Sequence, residues 1–309
     1  MDSCRTRSIA LLCGTVIGAG VLGIPYVIAQ SGFFVGLITI ILLGLAVLTL
    51  NLFIGEIVLR TPGNHQLPGY AEKYLGKWGK KVFMFSMLFG IYGALIAYLI
   101  GEGSALSAIF GGNPLMYSLG FFVFSSFFIY KGLDAISRFE AILVFFVLSL
   151  VLVISFFGIF SGNVSFDNLS SEFSFTKLLI PYGVILFSFI GAAAIPEMRE
   201  CLIKDKNYMK RAIMIGSLIP IATYILFSFV VVGITGLQTT EVATVGLGEV
   251  LGSGALILGN LFASFAMLTS FLTLGLAMKE IYMFDYKLNK SLSWGLTVFV
   301  PLIIFLSGV

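Results

Sequence analysis

The chain reads as an all-α polytopic membrane protein made of two five-span repeats in opposite orientation, the second repeat one helix short. Three observations lead there. Hydrophobic residues fill 59% of the 309 positions and charged residues only 11%, against roughly 25% charged in soluble domains. Apolar runs of the length that crosses a bilayer as a helix recur along the whole chain. Two of these runs carry the same interruption, a glycine five residues ahead of an Ile-Pro pair's proline: Gly20 to Pro25 and Gly191 to Pro196.

Nine runs qualify as spans, near 8–30, 34–59, 82–109, 115–131, 137–160, 178–198, 212–236, 249–278 and 292–309, the fourth and ninth being short. In span one, Arg5 and Arg7 stand ahead of the apolar run as in a signal peptide. The run continues to Ala29 without a small-x-small cleavage site, so it is an uncleaved span. It holds Gly14-Thr-Val-Ile-Gly18-Ala-Gly20-Val-Leu-Gly23-Ile-Pro25. Glycine costs a helix interior about 1 kcal/mol and proline about 3. Backbone freed at membrane depth survives only where protein or a water-filled cavity satisfies it. On this segment alone, a tightly packed helix is an equal alternative.

Glu56 ends span two with Arg60 four residues on, the spacing of an interfacial ion pair. In the outer half of span three, Glu102 follows Tyr98 by one turn among Gly101, Gly103 and Ser104; it suits a proton site, a substrate-amine ligand or a structural acceptor. Span six reads Phe187-Ser-Phe-Ile-Gly191-Ala-Ala-Ala-Ile-Pro196-Glu197-Met198. Glu197 suits either an inner-gate salt bridge or plain interfacial solvation. Thr269 and Ser270 form a hydroxyl pair in the middle of span eight. Such hydroxyls bond back to their own helix, and they are also fitting oxygen ligands for sodium.

Span one starts on one side of the membrane and span six, five crossings later, on the other. Paired interruptions in that relation mark an inverted repeat, whose broken helices meet at the midplane and form the substrate site. The start of a half-helix offers unpaired N–H groups and a positive dipole end to a carboxylate. Unwound carbonyls beside it suit a small cation, and Gly18, Ala19 and Gly20 let a ligand reach the backbone.

With the N-terminus in the cytoplasm, 17 of the 18 basic residues fall inside, leaving only Lys177 outside, as the positive-inside rule demands. Asp167, Glu172, Glu241 and Glu249 lie outside. Two inner loops read as helices on the membrane surface: 66–81, where Tyr70, Tyr74 and Trp78 recur every four residues beside Lys73, Lys77 and Lys81, and more weakly 279–290, with Ile281, Phe284 and Leu288. Cys4, Cys13 and Cys201 have no paired spacing, and His65 is the only histidine, so no disulfide framework, zinc site or histidine relay is indicated. No nucleic-acid partner is indicated, an enzyme lacks a base-activated nucleophile, and a channel lacks a continuous polar face.

These motifs resemble a known family. The first span is similar to the Gly-x-x-Ile-Gly-x-Gly-x-Leu-x-x-Pro signature of the amino acid/auxin permease and aromatic amino acid permease group, in the amino acid–polyamine–organocation superfamily. Phe189-Ile-Gly191 with Pro196-Glu197-Met198 resembles its sixth span, Glu56 through Arg60-Thr-Pro-Gly63 the end of its second, and Leu268-Thr-Ser-Phe271 its eighth. The resemblance implies a LeuT-like fold and a plasma (inner) membrane permease, a symporter moving amino acids with protons or sodium by alternating access. It implies substrate contacts at Ile17, Gly18, Ala19, Gly20 and Val21, at Phe189, Ile190, Gly191 and Ala192, and from Tyr98. By the resemblance a coupling ion falls to Thr269 and Ser270, and the acids Glu102, Glu56 and Glu197 read above are the further coupling or gating candidates. Any sodium would lie by Gly18, Thr269 and Ser270; no other cofactor is expected. The resemblance divides the single transmembrane domain, 1–309, into repeats of about 8–160 and 178–309. The family has at least ten spans, so a chain ending at Val309 is expected to be a truncated form. A non-transporting amino acid sensor with the same fold is the alternative.

Overall fold

The first span divides around Gly18, within the stretch where the sequence expects it, while Pro25 lies inside the second half-helix. In the computed structural model, which describes residues 2–170 and 177–308, α1 (Asp2–Val16) and α2 (Gly20–Ser31) meet at 50° across residues 17–19. There follow α3 (Phe33–Arg60), α4 (Leu67–Phe110), α5 (Pro114–Lys131) and α6 (Leu133–Phe160). The second broken span is α7 (Tyr182–Phe189) and α8 (Ala194–Cys201), then come α9 (Met209–Thr235), α10 (Ala243–Leu251), α11 (Ser253–Glu280) and α12 (Lys290–Leu306). Among the described residues, all regular structure is helical. Helices α3, α4, α6, α9 and α11 are each long and apolar enough to cross a membrane, and the bent α1–α2 pair makes a sixth crossing. The other expected spans correspond to the shorter α5, α7 with α8, and α12. Large apolar side chains such as Leu42, Phe53, Phe145, Phe156 and Phe160 face outward, a surface that only lipid would cover at no cost.

The packing pairs elements five spans apart: α1 against α8, α2 against α7, α3 against α9, α4 against α11, α5 against α12. A second correspondence was not visible in the sequence. Helix α4 is interrupted at Gly76 (φ 73°, ψ −170°) after a short first segment. Helix α10 is likewise a short helix that ends at Gly252 (φ 90°, ψ −179°) before the long α11. Both glycines adopt a positive φ that a side chain disfavours, and each lets a short helix turn into a long one.

Three sequence expectations are corrected here. Residues 66–81 do not form one surface helix, because the turn at Gly76 breaks the four-residue register: Tyr74 and Trp78 are exposed, whereas Tyr70 is buried. Span eight does not begin at 249, since residues 249–251 belong to α10. The segment 279–290 is no separate surface helix; α11 continues through Glu280 into a π-helical turn, Ile281–Asp285, with Lys279, Glu280 and Ile281 buried. Of the acids expected outside, Glu172 lies outside the described residues.

One end of the bundle is drawn together by charge, and we refer to it as the basic end. Arg5 pairs with Asp205 at 2.7 Å, and Arg199 donates to Gly63 O at 2.6 Å and Thr61 O at 3.3 Å. Asp285 accepts from the backbone N–H of Gln66 and Gly69 at 3.2 and 2.8 Å. The Arg199 and Asp285 contacts clamp the loop between α3 and α4. His65, in that loop, lies 3.7 Å from Asp285 Oδ1. Burial first, and Lys73 next, hold its imidazole below its ordinary range, so at pH 7 the approach is not an ion pair.

Candidate functional site

The carbonyls freed at the end of α1 are taken up by hydroxyls from two other helices. Thr269 and Ser270 on α11 donate to Gly14 O at 3.1 and 2.8 Å, and Ser270 lies 3.3 Å from Thr15 O. Tyr224 on α9 is fully buried, with its hydroxyl 2.7 Å from Val16 O and 2.9 Å from Ser188 O. Its single O–H is thus shared between the carbonyl ends of α1 and α7, which ties the two half-helices at the point where both stop. Buried carbonyls without such donors would each carry a desolvation penalty.

On the far side of the break, Val21 and Leu22 N–H bond back to Gly18 O and Ala19 O at 3.2 and 3.1 Å, and the N–H groups of Ala19 and Gly20 stand ahead of them at the α2 N-terminus. Gly18 is a point of close backbone approach: a Cβ there would overlap Ser270 Oγ and lie 2.8 Å from the Tyr98 hydroxyl. A Cβ on Gly20 would overlap Ser188 Oγ of α7. Only glycine lets the four elements converge at these two positions.

A cavity of about 190 Å³ opens beside this convergence. Gly18, Gly20, Ser188, Ala192 and Ala193 form the wall at the breaks, and Ser86, Gly90, Ala94 and Tyr98 form the wall on α4. Phe187 and Ile190 add apolar surface, and Leu67, the first residue of α4, lies toward the basic end. A Cβ on Gly90 would meet nothing within 4 Å, so that wall is open space.

Of the substrate residues expected from the sequence, Gly18, Gly20, Tyr98, Ile190 and Ala192 line this cavity. Ile17 and Val21 point into the core, and Ala19 contributes the turn ahead of α2. Phe189 turns away to pack on Tyr224, ring centroids 5.0 Å apart. Gly191 lies against Val16 and Leu12 of α1. Ser86, Gly90, Ala94, Tyr224 and Glu140 escaped the sequence reading. The first three could have been found, for they precede Tyr98 and Glu102 at a strict four-residue spacing and so share one helix face.

The acids are dispersed. Glu56 is exposed and accepts from Arg60 Nε at 2.5 Å, away from the cavity. Glu102 is buried and accepts from Ser264 of α11, with its second oxygen unpaired. Glu197 is buried without any ion pair, so it closes no inner-gate salt bridge; Arg199 and Asp285 hold the loop instead. Glu140 on α6 is buried with neither oxygen bonded. Among the described residues, no group of three His, Cys, Asp or Glu side chains is placed to hold a metal ion.

The family described as tryptophan/tyrosine permease matches residues 3–307. Glutamine transporter 2 of Aliivibrio fischeri is 27% identical over 96% of this chain and 79% of its own length. Tyrosine-specific transport system 1 of Haemophilus influenzae is 28% identical over the same shares, and the tryptophan-specific transport protein of Shigella flexneri is 26% identical over 95% and 76%. Among solved structures, MhsT in complex with L-phenylalanine superposes with a TM-score of 0.76 at 15% identity, covering 97% of this chain and 78% of that one. Mhp1, a nucleobase-cation-symport-1 family transporter, gives 0.74 at 14%, covering 99% and 72%. Both are LeuT-fold transporters, and the fold here is of that type.

Proposed function

The chain belongs to the tryptophan/tyrosine permease family, and from that membership we propose that it carries an aromatic amino acid across the membrane by alternating access, driven by a cation gradient. The observation that carries the reading is the convergence at Gly18: the α2 N-terminus, the Tyr98 hydroxyl and the carbonyl ends of α1 and α7 meet at the head of a small-walled cavity. The substrate carboxylate binds at the α2 amides beside Tyr98, where dipole and donors both favour an anion. Its ammonium faces the carbonyl ends of the two interrupted helices. The side chain extends along Gly90, Ala94 and Ala192 toward the Ser86 hydroxyl, a wall that is otherwise small and apolar. That lining favours an aromatic ring over the amide of glutamine, most of whose hydrogen bonds would go unmade.

The basic end is cytoplasmic, by the positive-inside rule applied to Arg5, Arg60, Arg199 and their neighbours, and the protein is a multi-pass permease of the plasma (inner) membrane. Opening toward the cytoplasm releases the loop held by Arg199 and Asp285. Thermal stabilisation of the purified protein against the twenty amino acids, with and without sodium at two pH values, tests substrate and ion together. Counterflow in proteoliposomes then tests translocation. Stabilisation by tryptophan or tyrosine with counterflow supports the proposal, stabilisation without counterflow supports the sensor reading, and no stabilisation by any amino acid defeats both.

A further inference from the structure

Three carboxyl side chains, none of them lining the cavity, occupy the half of the bundle between the breaks and the basic end. Glu140 lies about two turns into α6, fully buried, with no hydrogen bond to either oxygen. Its Oε1 fills the space that a Cβ on Gly14 would take, so the carboxyl rests directly on the α1 backbone. The Gly14 carbonyl is also the acceptor for Thr269 and Ser270. Glu197 on α8 is equally buried and equally without a partner on either oxygen. Glu280 on α11 is the third, and it accepts from Gln66 Nε2 of the clamped loop at 2.7 Å.

The remaining ionisable groups whose charge reaches Glu140 or Glu197 are Cys13 on α1, Glu200 and Cys201 on α8 and Lys279 on α11; α5 and α9 contribute none. Lys279 neutralises neither carboxyl by direct pairing, because its ammonium donates to Ile129 O at 2.5 Å. A buried carboxylate with no donor and no ion pair bears the full desolvation penalty. Two that feel each other add like-charge repulsion. A carboxyl that carries a proton avoids both costs. The hydroxyls of Thr269 and Ser270, by contrast, are already spent on α1 carbonyls.

We propose that Glu140 is the proton-carrying residue of the transport cycle, with Glu197 and Glu280 as the relay to the basic end, so that the proton is the coupling ion. The inference rests on the transporter reading above. With its proton on, Glu140 seats α6 against Gly14 and holds α1 in place. When the clamped loop opens, water reaches Glu280, and the proton passes from Glu140 through Glu197 to the cytoplasmic side. The charge left behind is buried against the α1 backbone at Gly14 and disfavours the closed seat of α1 until a new proton arrives. One proton thus enters from one side and leaves on the other in each cycle.

The test uses the full chain in sodium-free proteoliposomes, with tryptophan or tyrosine as probe. Wild type is expected to accumulate the probe on an imposed pH gradient. Glu140→Gln is expected to lose that accumulation to the level of empty vesicles while its counterflow falls far less, and Glu140→Asp to recover part of the pH-driven uptake. Accumulation by Glu140→Gln with the wild-type pH profile, or wild-type accumulation that requires sodium, overturns the inference. Should Glu140→Gln fail to fold, dicyclohexylcarbodiimide applied to wild type gives a second readout. An adduct on Glu140 that fades as pH rises supports the inference, and an unlabelled Glu140 overturns it. Wild type without counterflow defeats the transporter reading itself, whereas normal counterflow with coupling untouched in Glu140→Gln defeats only the proton assignment.

Discussion

The two interruptions look alike in sequence and differ in structure. Counted from their glycines, both place proline five residues on, yet Pro25 is the sixth residue of α2 and Pro196 the third of α8. The second break is one residue longer, 190–193 against 17–19, and Gly191 lies within its break, whereas Gly20 opens α2. Side-chain donors also differ. Hydroxyls from Thr269, Ser270 and Tyr224 pin the end of α1, while the end of α7 has only the shared Tyr224. Ile190 in the second break is 55% exposed, against 1% for Ile17 in the first. The first break is therefore the fixed one and the second the yielding one; in the proposed function the first is the socket for the charged end of a substrate and the second the wall that meets its side chain.

The largest expected effect is at the socket. Gly20→Leu drives a side chain into Ser188 and is expected to abolish amino acid binding while membrane insertion survives; unchanged binding would break the comparison. Filling the wall is the counterpart. Gly90→Leu projects into open cavity and is expected to weaken binding of an aromatic substrate by about tenfold or more, roughly 1.4 kcal/mol, while folding is retained. Equal losses for small and aromatic ligands would show that the ring does not lie there.

Tyr224→Phe tests the tie between the breaks. It leaves Val16 O and Ser188 O without their shared donor and is expected to cost about 1–3 kcal/mol, read as a lower melting temperature. Ser270→Ala removes one of two donors to Gly14 O, with an expected loss of about 1 kcal/mol. The smallest effect concerns the clamped loop. His65 has a depressed folded-state pKa, so the unfolded chain binds the extra proton and stability rises with pH. Its contribution is complete above the ordinary value of 6.5 and is lost as pH falls through the folded value. His65→Gln is expected to flatten the melting profile slightly in that acidic window.

How much of this was legible follows from what each feature depends on. The broken spans could be read because glycine and proline are written in the sequence and their cost at membrane depth is fixed. The pair Thr269 and Ser270 could be read as oxygen donors, though not that Gly14 O would be their acceptor. Glu140 was overlooked because it stands near the end of a span, where a carboxylate ordinarily meets water; only the packing of α1 over it takes that water away. The resemblance put the backbone from Phe189 onward at the substrate and said nothing of the Phe189 ring, which tertiary packing aims toward Tyr224. The surface helix over 66–81 failed on Gly76, whose positive φ no periodicity reveals. The repetition of that turn at Gly252 explains why it belongs to the fold.

The central claim is that the α2 N-terminus grips the substrate carboxylate. The most direct test compares thermal stabilisation of the wild-type protein by tryptophan and tyrosine with that by tryptamine and tyramine, which keep ring and ammonium but lack the carboxylate. Stabilisation by at least one amino acid and by neither amine is the expected result. Equal stabilisation by an amino acid and its decarboxylated amine would contradict the account.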